Sequence, residues 1–189
     1  MYQQAMLYRL VSLGTGAIRA CDSDEVLMGI LAARAFIETV SVFQDFISRI
    51  ERHLDREDLE EIDGLVMGKT FSTRDAEAVR ENPRFRSTNV LTSIEALDRI
   101  FPGVLRHYNL LSERCHPNTM GHHQFFATTD RITRTVTFSE KKRIRPERAS
   151  AMAGVMLAIF AEQLMDKLDG LIARTADLQH SINPVAQGK

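Results

Sequence analysis

In this chain of 189 residues, the side chains best suited to chemistry are polar groups set among apolar neighbours at helical spacing. Arg34 and Glu38 stand four apart, with Leu27, Leu31 and Val42 at the same periodicity. A helix therefore places both charges on one apolar face. An unpaired ion there costs several kcal/mol, so the two must pair with each other or with polar groups of another helix. Two readings follow: an ion pair that fixes helix register, or a pair that faces a ligand. A second constellation runs from Tyr108 to Asn118, Tyr-Asn-Leu-Leu-Ser-Glu-Arg-Cys-His-Pro-Asn. Helical geometry collects Asn109, Ser112, Glu113 and His116 on one side of it. A histidine beside a carboxylate suits proton transfer.

Glu113 and His116 also have the Glu-x-x-His spacing of di-iron bundles. Those need a second such motif and further glutamates on facing helices, and only one occurs here. A site drawing on Glu38, Glu113, His116 and His122 or His123 is the metal alternative; the expectation adopted is no metal and no cofactor. Cys21 and Cys115 are too far apart in sequence for a zinc knuckle or redox motif and read as reduced thiols. A third feature is basic. Arg131, Arg134, Lys141, Lys142, Arg143, Arg145 and Arg148 are opposed only by Glu140 and Glu147. This stretch suits phosphates, or it is a solvated face, since no aromatic residue interleaves Lys141 to Arg148.

The whole-chain balance is neutral: 24 basic against 25 acidic residues, net charge −1, so attraction to nucleic acid must be local. With 44% hydrophobic and 26% charged residues the chain is globular, which excludes disordered, collagenous and disulfide-stapled classes. Glycine-rich phosphate loops, Gly-x-Ser-x-Gly and His-Glu-x-x-His are absent, which leaves the common nucleotide, esterase and metalloprotease readings without support. The N-terminal stretch has Arg9 within its apolar part and no leading basic cluster, and the longest uncharged run, 149–161, is shorter than a membrane-spanning helix. The expectation is a cytoplasmic protein with no membrane partner.

The elements that must position these groups are mostly helices. Met6, Leu10, Leu13 and Ala17 mark a first helix, weakened by Gly14 and Gly16. A second, capped by Asp22 or Ser23, runs to about Leu54 and is apolar nearly all round from Val26 to Phe43, which makes it central. A shorter helix from the acidic segment at Asp55 ends near Gly68, and a polar loop with one helical turn follows. Val90 through Cys115 repeats as one long helix, with Pro102 and Gly103 predicting a kink or two abutting helices. His116 before Pro117 ends it. Phe125–Thr128 and Ile132–Phe138 predict a hairpin, and Pro146 opens a last long helix. The expected fold is all-α: a bundle of about five helices in a single domain over 1–180, with a small β-hairpin at about 123–139 before the last long helix and a flexible tail over 181–189.

Three segments together look familiar: Ala33-Arg34-Ala35-Phe36-Ile37-Glu38-Thr39, Asn89-Val90-Leu91-Thr92-Ser93-Ile94, and Tyr108 through Asn118 with Gly121. They resemble a group of uncharacterised bacterial helical proteins with an Arg-x-x-x-Glu helix and a Leu-Ser-Glu-x-x-His-Pro-Asn segment, distantly similar to HEPN domains. The resemblance covers roughly 1–138. It implies a helical bundle that binds RNA or a nucleotide-type phosphate ligand and often dimerises. HEPN ribonucleases carry an arginine followed after four to six residues by a histidine. Here only Arg174 and His180 have that spacing, no more than chance supplies. On this reading His116 is the candidate acid or base, with Glu113 beside it and Arg34 or Arg114 stabilising phosphate charge. Glu38, Tyr108, Asn118 and Arg114 bind the ligand, and Arg131, Arg134, Lys141, Lys142, Arg143 and Arg145 recruit it. The alternative is a non-catalytic, homodimerising interaction module whose polar cluster is structural.

Overall fold

A helix with apolar side chains on every face has to be surrounded by other elements, and helix α2 is. In the computed structural model, which describes residues 2–139 and 145–182, α1 (Tyr2–Asp22) leads into α2 (Val26–Leu54). There follow α3 (Leu59–Thr70), α4 (Ala76–Glu81), a 3₁₀ turn (Pro83–Phe85), α5 (Val90–Asp98), α6 (Val104–Cys115) and α7 (Thr119–Phe126). An antiparallel hairpin, β1 (Ala127–Asp130) with β2 (Thr135–Phe138), precedes α8 (Arg145–Val155) and α9 (Ala158–Ile182). Helix α2 packs against α1, α3, α5, α6, α8 and α9. It contributes to both apolar clusters: Phe36, Phe43 and Ile47 with Leu97 and Leu164, and Ile30 and Ile37 with Ile94, Tyr108 and Leu111.

The chain is mostly helical, 77%, with a two-stranded hairpin before the last long helix, but it has more helices than the five expected. The excess arises where local chemistry interrupts a continuous apolar period. The repeat from Val90 to Cys115 divides into α5 and α6 because Gly103 adopts φ 103°, a left-handed conformation open to glycine. The Asp98 carboxylate accepts from the Gly103 and Leu105 amides at 2.9 and 3.0 Å, which secures the break. The polar stretch after α3 holds both α4, capped by Asp75, and the 3₁₀ turn, capped by Asn82. The last helix divides at 156–157, where the Met156 amide bonds back three residues to Ala153 and the apolar period runs on regardless.

Three further boundaries move. Helix α2 starts at Val26, with Glu25 rather than Asp22 or Ser23 at its N-cap, because α1 runs on through Asp22. Helix α3 starts at Leu59 rather than Asp55, since Glu57 takes φ 56° and Asp58 caps the helix by accepting from the Glu61 amide at 3.1 Å. The hairpin expected at 123–139 is confined to 127–138: Asn118 accepts from the Gly121 amide at 2.9 Å and starts α7, which takes Phe125 and Phe126. Its turn is then 131–134, where the Asp130 carboxylate accepts from the Ile132 and Thr133 amides. Two helical stretches, Val26–Leu54 and Pro146–Ile182, are long and apolar enough to cross a membrane by length and composition, which counting uncharged runs alone misses. In the first, 56% of the most apolar window is buried by other helices, as a central core helix also requires.

Candidate functional site

The burial of one face of α2 against α6 brings Arg34, Glu38 and Tyr108 together, with Ser112 one turn beyond. Tyr108 is 4% exposed, and its hydroxyl accepts from Arg34 Nη2 at 3.0 Å and donates to Glu38 Oε1 at 2.8 Å. Arg34 Nη2 also meets Glu38 Oε1 at 3.1 Å, and Arg34 Nε donates to Ser112 Oγ at 3.0 Å. The guanidinium lies 5.3 Å from the centre of the Tyr108 ring. Burial pulls the Arg34 pKa down, but the Tyr108 hydrogen bond and the Glu38 charge prevail and raise it, so Arg34 is a fixed cation. Cys115 follows Ser112 by three residues on the same face; burial raises its thiol pKa against the Arg34 charge. Among the described residues, Arg34 Nη1 has no hydrogen-bond partner.

The remaining predicted groups divide by helical angle. Arg114, two residues past Ser112, points away from this face. It is 9% exposed, with Nη2 at 3.4 Å from Glu147 Oε1 on α8 and Nη1 donating to the Leu110 carbonyl at 3.2 Å. Its expected place beside a ligand is therefore replaced by an inter-helix ion pair. Glu113 is exposed and accepts from Asn118 Nδ2 at 3.1 Å, while the Asn118 carbonyl caps α7. His116 is exposed at the end of α6 with φ −76° and ψ 144°. Its φ keeps the Cβ near the helical direction, about 6 Å from that of Ser112 one turn back, while its ψ turns the chain toward α7. Among the described residues no hydrogen bond or ion pair joins Glu113, His116 or Asn118 to Arg34 or Glu38.

Of the basic stretch, Arg131 and Arg134 are exposed on the hairpin turn, and Arg148 pairs with Asp22 at 2.6 Å. Lys141, Lys142 and Arg143 lie outside the described residues, as does the side chain of Arg145. Among the described residues no group of three or more His, Cys, Asp or Glu side chains converges in a way that holds a metal ion.

A cationic groove that the sequence reading missed lies further along α2. Arg49, Lys69, Arg84 and Arg86 line a cavity of about 200 Å³ with His53 and Glu61, between α2, α3 and the stretch formed by the 3₁₀ turn and the residues after it. A second cavity of about 340 Å³ shares Arg49, Arg86 and Thr88 and adds Ser87, Asn89, Thr92 and Ser93 at the start of α5. The groove exists because Gly64 and Gly68, one turn apart on α3, leave room for Arg84. A Cβ at Gly68 would stand 2.7 Å from the Arg84 carbonyl oxygen, and one at Gly64 would run into the Arg84 guanidinium. The Thr73 amide donates to the Phe85 carbonyl and the Ser87 amide to that of Thr73, which holds the strap over α3. The signal in the sequence was Gly-x-x-x-Gly followed by alternating Arg84 and Arg86. No family model, curated protein or solved structure matches the chain.

Proposed function

We propose that the α2–α6 face is a HEPN-like site that binds RNA or a nucleotide-type phosphate ligand, with Arg34 as the phosphate-binding group. The observation that carries this reading is the state of Arg34. Its side chain is 32% exposed and immobilised by Glu38, Tyr108 and Ser112, with Nη1 left over to donate to a phosphate oxygen. A guanidinium fixed in this way loses little conformational entropy on binding. The placement of His116 one turn past Ser112 supports it as the proton-transfer group if the bound RNA is cleaved. Arg131 and Arg134, exposed on the hairpin turn, supply recruiting charge. On the same reading the protein acts in the cytoplasm as a dimer, off the membrane and without a cofactor.

The test is binding and cleavage of a mixed RNA pool by the wild-type protein and by His116→Ala at low and moderate salt. The proposal expects salt-sensitive binding, and cleavage, where it occurs, that disappears in a variant with unchanged melting behaviour. Absence of binding at both salt concentrations supports a second reading, in which the Arg34 network is a strut and the protein an interaction module. The observation behind that alternative is an apolar cleft of about 370 Å³ between α1 and α9, flanked by exposed Leu7, Val11 and Ile18. Sedimentation analysis of the same sample then reports a homodimer.

A further inference from the structure

We infer that the groove between α2, α3 and the start of α5 is a separate binding site for a phosphorylated, hydroxyl-bearing small molecule of the sugar-phosphate class. The groove is remote from the face just described: Arg34 and Arg49 lie 15 residues apart on one helix, about 22 Å along its axis.

Charge fixes the kind of ligand. Arg49, Lys69, Arg84 and Arg86 line the smaller cavity against a single lining carboxylate, Glu61. Arg84 meets Glu61 and Glu60 only at 3.7 and 3.9 Å, and among the described residues Arg86 has no ion pair. Lys69 is the group that most needs a ligand. Its side chain is 10% exposed, and among the described residues its one ionic partner is Asp45 at 3.5 Å, which Arg49 shares at 3.0 Å. Burial, with the Arg49 charge, lowers the Lys69 pKa against the pull of Asp45. A second anion in the groove relieves that cost. His53 lines the same cavity at the end of α2. Guanidinium forks around an ammonium match a phosphate, whose several oxygens accept from all of them together.

The adjoining cavity fixes the rest of the molecule. Ser87, Thr88, Asn89, Thr92 and Ser93 present hydroxyls and an amide, and the lining contains no carboxylate. Asn89 caps α5 by accepting from the Leu91 amide at 3.1 Å, so the positive end of the helix dipole faces the same space. Hydroxyl-bearing side chains set among apolar surface suit the hydroxyls and carbon faces of a polyol body. Neither lining contains a phenyl, phenol or indole ring on which RNA bases would stack.

The experiment is calorimetric titration of the full chain with ribose 5-phosphate, inorganic phosphate, ribose and a short single-stranded RNA. Ribose 5-phosphate binds most tightly, inorganic phosphate more weakly, and ribose not at all. Arg86 is exposed and outside the core, so Arg86→Ala keeps the fold. It weakens ribose 5-phosphate by about tenfold to a hundredfold, the factor that one charge-assisted hydrogen bond carries. Arg34→Gln leaves that affinity unchanged, whichever way the RNA assay of the other face turns out. Lack of phosphate binding, binding indifferent to Arg86→Ala, or Arg86-dependent binding of RNA in preference to ribose 5-phosphate each overturns the inference.

Discussion

The two polar regions on α2 spend their charges differently. At the α2–α6 face, Arg34 spends Nε and Nη2 within the protein, on Glu38, Tyr108 and Ser112, and keeps Nη1. In the α2–α3–α5 groove, four cations crowd a space lined by one carboxylate, and a lysine with a side chain only 10% exposed leans on an aspartate that an arginine already holds. The first arrangement fixes geometry and leaves one nitrogen to offer; in the second, among the described residues, Arg86 has no ion pair, Arg49 and Lys69 share Asp45, and Arg84 meets Glu60 and Glu61 only at 3.9 and 3.7 Å. Residue type alone does not separate them, since each sets arginine beside carboxylate and hydroxyl side chains. What separates them is how many donors remain after the protein has satisfied itself.

This contrast is broken most forcefully at Tyr108. Replacing it by alanine removes a ring that is 4% exposed together with the hydroxyl that Arg34 and Glu38 share. The expected loss is about 3–5 kcal/mol in chemical denaturation, as for other buried aromatic residues. Tyr108→Phe keeps the ring and isolates the polar part, with an expected cost of about 1–3 kcal/mol. A loss below that range would mean the network is not the strut described. In the groove, Gly68→Ala forces a methyl against the Arg84 carbonyl 2.7 Å away. The strap must move, at about 1–3 kcal/mol, and ribose 5-phosphate affinity falls with it.

pH sharpens the comparison next, because two groups around Asp45 at the groove end titrate in opposite senses. Lys69 has its pKa lowered by burial, so its charged form is penalised in the folded state at neutral pH. Stability therefore rises as pH climbs through the lowered folded value toward the unfolded 10.5. Tyr2 is pushed up to about 12 by burial and by Asp45, so its contribution is present below pH 10 and is lost as pH rises from 10 toward 12. Urea denaturation of wild type and Lys69→Met between these limits checks both signs. The wild type gains relative to the variant first, and both then decline. The smallest effect belongs to His116→Ala. This side chain is exposed at the end of α6, and its removal shifts stability by less than about 0.5 kcal/mol.

Periodicity made the helical class, the central place of α2 and the proximity of Arg34 and Glu38 legible, because each depends on neighbours three or four residues apart. The division at Pro102 and Gly103 was legible for the same local reason, although the choice between a kink and two helices needed the Asp98 cap. The hairpin boundary was not, since the same aromatic residues serve β1 or the end of α7 and the Asn118 cap decides between them. Arg114 shows the limit within a motif. Its neighbours in sequence face the cluster or solvent, while its own helical angle sends it to Glu147, 33 residues on. The groove was harder to read because its cations come from α2, α3 and the strap, and the Gly64 and Gly68 spacing, though visible, does not say that Arg84 is what packs against it.

The most direct test of the central claim is one fluorescence-anisotropy titration of a short single-stranded RNA against wild type, Arg34→Gln and Arg86→Ala at two salt concentrations. The account predicts salt-sensitive binding that falls by about tenfold or more in Arg34→Gln, the loss of one charge-assisted contact, and stays near wild type in Arg86→Ala. Equal affinity of wild type and Arg34→Gln, with loss confined to Arg86→Ala, would contradict it and leave the α2–α6 network as a strut alone.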